Sequence, residues 1–342
     1  MRVLVTGGSG FIGSNFIKYL LTDKEVDGKV SVVNLDKLTY AGKGRNIGHM
    51  DLHQDDRYVF IQGDIVNPDD VDYAFSKFSP DIVFNFAAES HVDRSIINAV
   101  PFIRSNIFGT EVLLQAAKRK GLERFVQIST DEVYGSLSPN APSSTESDML
   151  TPRSKYAASK AGAEHLVQSS HEEDGLSTVI TRSSNNFGPY QFPEKLIPRA
   201  ITNLIDGKPI PLMWSEENPG LNIRDWIHVQ DNCRAIWYVS EYGNEGNVYN
   251  IGGGNEVANI NLATIIALEF GFEDTEEAIQ HVEHRTGHDF RYSLDCTKLK
   301  ELGFEFRHQD FLEGLRQTIQ WYRENQSWWR PLKQEAESTY QK

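Results

Sequence analysis

Cysteine is nearly absent: Cys233 and Cys296 are the only two in 342 residues. They lack metal-ligand spacing and are too few for a disulfide framework, so both read as packing residues in a reducing compartment. Long apolar runs are missing too. Nothing approaches the roughly 20 residues needed to cross a bilayer. The first residues already read as a strand, which leaves no room for a secretion signal. A cytoplasmic protein with no membrane partner is expected. Positive charge is scarce, with 34 Lys and Arg against 48 Asp and Glu and a formal net charge of −14. Nucleic acid is a poor partner for that balance. There are no repeats and no low-complexity tracts.

What is present begins at the N-terminus. Residues 2–6 read as a buried strand, Gly7-Gly8-Ser9-Gly10-Phe11-Ile12-Gly13 follows, and 14–21 has helical apolar spacing. Gly7, Gly10 and Gly13 permit a tight turn, close approach of a pyrophosphate and close helix–strand packing. The helix start behind them offers free amides and a positive dipole to phosphate. A second strand at 30–35 ends at Asp36, placed to accept hydrogen bonds from a ribose diol and to repel a 2′-phosphate. NAD is favoured over NADP, with Lys37 the dissenting cation. A third strand at 58–62 leads to Asp64 and Ile65, an adenine contact.

Strand-like runs recur at 82–86, 125–128 and 177–181, with helical stretches at 68–77, 99–119 and 154–173 between them. This alternation predicts an α/β, Rossmann-type doubly wound parallel sheet. Residues 1–182 read as the NAD-binding domain, with later segments returning to it. Residues 183–332 read as a smaller α/β substrate-binding lobe and 333–342 as a polar tail. Residues 139–151 read as a loop overhanging the reactive segment, and 183–193 as an irregular binding segment.

Two patterns carry the chemistry. Tyr156 and Lys160 stand four apart, hence on one helix face, where the ammonium lowers the phenol's pKa towards a usable base. Tyr-x-x-x-Lys by itself occurs by chance on many helices. Thr130, Asp131 and Glu132 close an apolar run and offer a hydroxyl and two carboxyls. Acidic pairs are more often solvated turns, but this one follows a buried strand.

The run Ala87-Ala-Glu-Ser-His-Val-Asp-Arg-Ser95, with Ser-Thr-Asp-Glu-Val-Tyr-Gly, Asn-Asn-Phe-Gly-Pro-Tyr-Gln-Phe-Pro-Glu-Lys195 and Arg285-Thr-Gly-His-Asp289, resembles the dTDP-glucose 4,6-dehydratase family, a branch of the extended short-chain dehydrogenase/reductases. The resemblance implies that Tyr156 and Lys160 serve oxidation at C4 of a glucose nucleotide, that Glu132 takes the C5 proton, that Asp131 protonates the leaving C6 hydroxyl, and that Thr130 holds O4. It implies NAD contacts at Phe11, Ile12, Ala87, Ala88, Ser105 and Asn186. It also implies substrate contacts at Ser90, Asn185, Lys195, Leu196, Pro211, Met213, Arg224, Asn259, Arg285 and His288, and a homodimer through helices 99–119 and 154–173. The product would feed deoxysugar biosynthesis, rhamnose among others. The chain departs from the family pattern at 213–220, at Lys155, at 41–45 and in lacking Pro after Arg285. UDP-glucose dehydration, nucleotide-sugar 4-epimerisation and a non-catalytic NAD-binding regulator are the rival readings.

Overall fold

A computed structural model describes residues 1–340 apart from 27, 29, 40, 41, 43, 284–288 and 309, with backbone only for 338–340. The strands are β1 (Arg2–Thr6), β2 (Ser31–Asp36), β3 (Tyr58–Gln62), β4 (Ile82–Asn85), β5 (Arg124–Thr130), β6 (Thr178–Ser183), β7 (Asn185–Phe187), β8 (Ile210–Trp214), β9 (Ile223–His228), β10 (Asn247–Ile251), β11 (Glu256–Ala258) and β12 (Ile279–Glu283).

Seven of them form one sheet in the order β10-β6-β5-β4-β1-β2-β3, parallel at every pairing. The reason lies in their sequences. Val3, Val5, Val83, Phe84, Phe125 and Val126 have no exposed surface, as expected of strands covered by helices on both faces. The chain reverses direction of winding between β1 and β4, and ligands of such sheets bind beyond the strands' carboxyl ends at that switch point. Thr6, Asp36, Asn85, Thr130 and Ser183 all lie at those ends.

A smaller lobe carries a three-stranded sheet, β11-β9-β7, and the pair β12-β8. Its core gathers Phe187, Ile201, Trp226, Leu262, Ile266, Leu315, Tyr322 and Trp329. Both cysteines are free and buried. No described helix is long and apolar enough to cross a membrane.

The helix expected at 99–119 runs without a break from Val100 to Lys120, with a π segment, Ile103–Phe108, inside it before Gly109–Lys120. A π insertion of this kind is a frequent companion of binding sites, and here it carries Ser105. The polar tail at 333–342 is helical as far as Tyr340, within Gln326–Tyr340. Lys333 is buried against Asp206, with its Nζ 2.8 Å from Oδ2, and Ala336 joins the lobe's core.

Candidate active site

The glycine loop is dictated by contact. Gly7 adopts φ +68°, and a Cβ there would lie 2.6 Å from the Ala87 amide nitrogen. A Cβ on Gly13 would meet the Gly7 carbonyl at 2.5 Å. The Asp36 carboxylate turns back into this loop, accepting from Ser9 N at 2.8 Å and Leu38 N at 2.7 Å. Burial raises its pKa, and those two amide donors oppose the rise. Lys37 pairs with Asp64 at 2.7 Å, so the cation that stood against NAD already has a carboxylate partner.

A cavity of about 350 Å³ runs along these ends. Gly7, Gly10, Phe11, Ile12, Gly13, Asp36, Lys37, Asp64, Ile65, Ala87, Ala88, Ser105, Tyr156, Lys160 and Asn186 all line it. The carboxylate at the ribose end and a glycine loop packed too closely on its own backbone for a Cβ at Gly7 or Gly13 suit an adenine dinucleotide. Thr130, Asp131 and Glu132 close the cavity's far end, and Ser90, read as a substrate contact, lines this cavity too.

Thr130 ends β5 and caps the single 3-10 turn Asp131–Tyr134, its hydroxyl accepting from Glu132 N at 3.3 Å. The same hydroxyl donates to Asp131 Oδ1 at 3.1 Å. Asp131 Oδ2 is buried and has no hydrogen-bond partner among the described residues. Burial drives the Asp131 pKa well above the carboxyl range, and the charges of Glu132 and Asp225 add to the rise. The arrangement favours the protonated form of Asp131.

The phenol and ammonium both lie in the buried interior of the site. Lys160 Nζ donates to the Ile128 carbonyl at 2.6 Å, and burial brings its pKa down to about 8, against the pull of Glu164. Tyr156 is pushed above the ordinary phenol range by burial and then by the charges of Glu132 and Asp131.

A second cavity of about 270 Å³ shares Glu132, Asn185, Asn186, Gln191, Glu194 and Lys195 with the first. Leu196, Pro211, Met213, Arg224 and Asn259 line it as well, whereas Arg285 and His288 lie outside the described residues. Lys195 lines both cavities and directly precedes helix Leu196–Ile205, so a cationic residue and a helix start stand at the joint, a setting for a diphosphate. Arg224 lies over the Tyr292 ring at 4.5 Å and donates to the Ile223, Asp289 and Phe290 carbonyls, which engages part of its fork. Gln191, Glu194, Trp226 and Tyr292 line the cavity without having been assigned from sequence. Glu194 was within reach of sequence reasoning, since it directly precedes Lys195.

Asp225 sits behind this cluster, buried on β9, its Oδ1 accepting from Asn255 N at 2.8 Å. Burial lifts its pKa to about 6. A carboxyl whose folded-state pKa is raised contributes stability below its unfolded value, near 4, and loses it as pH rises through 6. Asp225→Asn is accordingly expected to be more stable than the parent at pH 8, by on the order of 1–3 kcal/mol. That gain should shrink as pH falls to 4. Urea melts at pH 4, 6 and 8 measure it, and a variant less stable than its parent at pH 8 would contradict the assignment.

Comparison with known proteins places this geometry in company. Residues 4–318 match the family model described as GDP-mannose 4,6 dehydratase. A dTDP-glucose 4,6-dehydratase of Streptomyces niveus is 47% identical over 342 residues, covering 99% of this chain and 98% of the relative. The crystal structure of DesIV, the dTDP-glucose 4,6-dehydratase of Streptomyces venezuelae with NAD and TYD bound, is similar at a TM-score of 0.90 and 45% identity, covering 97% of this chain and 100% of that one. UDP-glucose 4-epimerase from Thermotoga maritima is similar at a TM-score of 0.85 and 27% identity, over 95% and 100% of the two chains.

Proposed function

The chain belongs to the GDP-mannose 4,6-dehydratase family, and on that footing we propose that it converts dTDP-glucose to dTDP-4-keto-6-deoxyglucose as an NAD-dependent hydro-lyase. The observation that carries this reading is the Asp131–Glu132 pair where the two cavities meet, one carboxyl buried with a partnerless oxygen and the other on their shared wall. Oxidation and epimerisation at C4 need no such pair, whereas elimination across C5–C6 needs an acid and a base at once.

NAD, when bound, supplies the hydride acceptor at C4, a positive ring charge that favours a phenolate, and the hydride that returns to C6. The chain's own residues do the rest. Tyr156 takes the 4-hydroxyl proton, with Lys160 held by the Ile128 carbonyl beneath it. Thr130 holds O4, so the new ketone acidifies C5–H within reach of Glu132. Asp131, whose burial favours its protonated form, gives its proton to the departing C6 hydroxyl and regains one through solvent from the proton Tyr156 took, while C5 takes back a solvent-exchanged proton by way of Glu132 as hydride returns to C6. Lys195 and Arg224 offset the acidity of the chain at the diphosphate.

Met213 on the wall of the second cavity, and the segment 214–220 after it, support UDP-glucose as the second reading. We further infer a homodimer, supported by exposed Ile97, Val100, Ile103 and Phe108 near the π segment, and a cytoplasmic enzyme, supported by its two buried free cysteines. Mass spectrometry of dTDP-glucose and UDP-glucose incubated in heavy water tests the reaction. Loss of one water with deuterium gained at C5 is expected, faster for dTDP-glucose. An unchanged mass with a galactose-configured product would mean epimerisation and overturn the reading.

A further inference from the structure

Behind the reactive cluster lies a buried ion pair that the reaction itself does not use. Glu164 follows Lys160 by one turn on helix Lys155–Asp174 and is fully buried, and Arg182 on β6 is 2% exposed. The guanidinium grips Glu164 Oε2 from Nη2 at 2.6 Å and from Nε at 3.0 Å. Its remaining arm, Nη1, donates to the Tyr134 hydroxyl at 2.7 Å, and that hydroxyl donates to Asn250 Oδ1 at 2.8 Å. Tyr134 is the last residue of the turn that begins with Asp131 and Glu132, and Arg182 is the register partner of Ser129 just before that turn.

One guanidinium thus joins the helix bearing Tyr156 and Lys160 to the turn bearing the two carboxyl groups. A buried ion pair is weak evidence for stability, because desolvation of both charges offsets their attraction, and apolar replacements of similar volume are often neutral or better. What such a pair does supply is fixed geometry, since a forked contact holds two groups in one mutual orientation.

We propose that the Glu164–Arg182 pair, acting through the Tyr134 hydroxyl, is a positioning unit that holds the Asp131–Glu132 turn in register with the Tyr156–Lys160 face for elimination. It rests on the dehydratase reading. These residues touch neither cavity, and they act on C5 and C6 only by placing the acid and base.

The test follows kcat, KM and the steady-state fraction of bound NADH during turnover of dTDP-glucose. Turnover by the parent enzyme checks the dehydratase reading separately, so failure there is not confused with failure of this inference. Tyr134→Phe keeps the ring and removes only the hydroxyl. It is expected to lower kcat by about 10-fold, the scale of a modest misplacement of reacting groups, with KM unchanged and the NADH fraction raised. Oxidation continues in that variant while elimination lags. The double variant Glu164→Met with Arg182→Met, apolar and of similar volume, is expected to melt near the parent and show the same rise in NADH. A purely structural role would lower the melting temperature or the amount of active enzyme and leave the NADH fraction where it was. That result in either variant, or parental kcat in both, would overturn the proposal.

Discussion

Glu132→Gln is expected to stop the reaction halfway, with dTDP-glucose oxidised at C4 and bound NADH accumulating while almost no water is lost. The amide keeps the shape of the side chain and leaves the turn intact, because the cap on this turn runs from the Glu132 backbone amide to the Thr130 hydroxyl rather than through the carboxylate. What disappears is the function proposed for that carboxylate, acceptance of the C5 proton. Loss of a positioned base costs about 10²–10⁴ in rate, which falls here on elimination alone. Absorbance of the reduced cofactor against product mass separates the two steps. Full turnover by this variant would move the base to another residue.

Tyr156→Phe acts one step earlier. The phenol lies buried against Phe102, their ring centroids 6.4 Å apart, so the substitution preserves the packing and deletes the proton acceptor. Burial and two carboxyl groups raise the pKa of the phenol in the protein alone, and the positive charge of the proposed cofactor would oppose that rise. The expected result is loss of NADH formation itself, again by about 10²–10⁴, with dTDP-glucose still bound. Single-turnover mixing measures it. NADH appearing at the parental rate would remove Tyr156 from the oxidation. The two variants are thus distinguished by the colour of the stalled enzyme, reduced in one and oxidised in the other.

How much of this was legible in the sequence depended on how local the signal was. The glycine loop, Asp36 and the alternation of elements are encoded within a few dozen residues, and the parallel sheet follows from them. The 223–228 strand was not legible, since Ile-Arg-Asp-Trp-Ile-His carries Arg224 and Asp225, residues that propensity assigns to surfaces, while the fold buries both. The helix after Gln326 was hidden by Pro331 and a polar composition, although Trp328 and Trp329 anchor it in the lobe's core. At the site, the spacing of Tyr156 and Lys160 put them on one face, but it gave no sign that the ammonium would be tied to Ile128 O. The partnership of Glu164 with Arg182 spans two elements and has no motif. Only tertiary contact reveals such a pair.

The position of β10 at the edge of the main sheet has a consequence for how the protein is made. β6 is buried along its whole length, and its outer neighbour is supplied by residues 247–251. As the chain leaves the ribosome, everything from residue 184 to 246 must emerge before that neighbour arrives. At about 5–20 residues per second this takes several seconds. During that interval β6 presents unpaired amides and carbonyls to its surroundings, the kind of edge that recruits other chains. Newborn molecules of this protein therefore expose the β6 edge until residues 247–251 emerge, although every residue lining the cofactor cavity, up to Lys195, is by then already outside the ribosome.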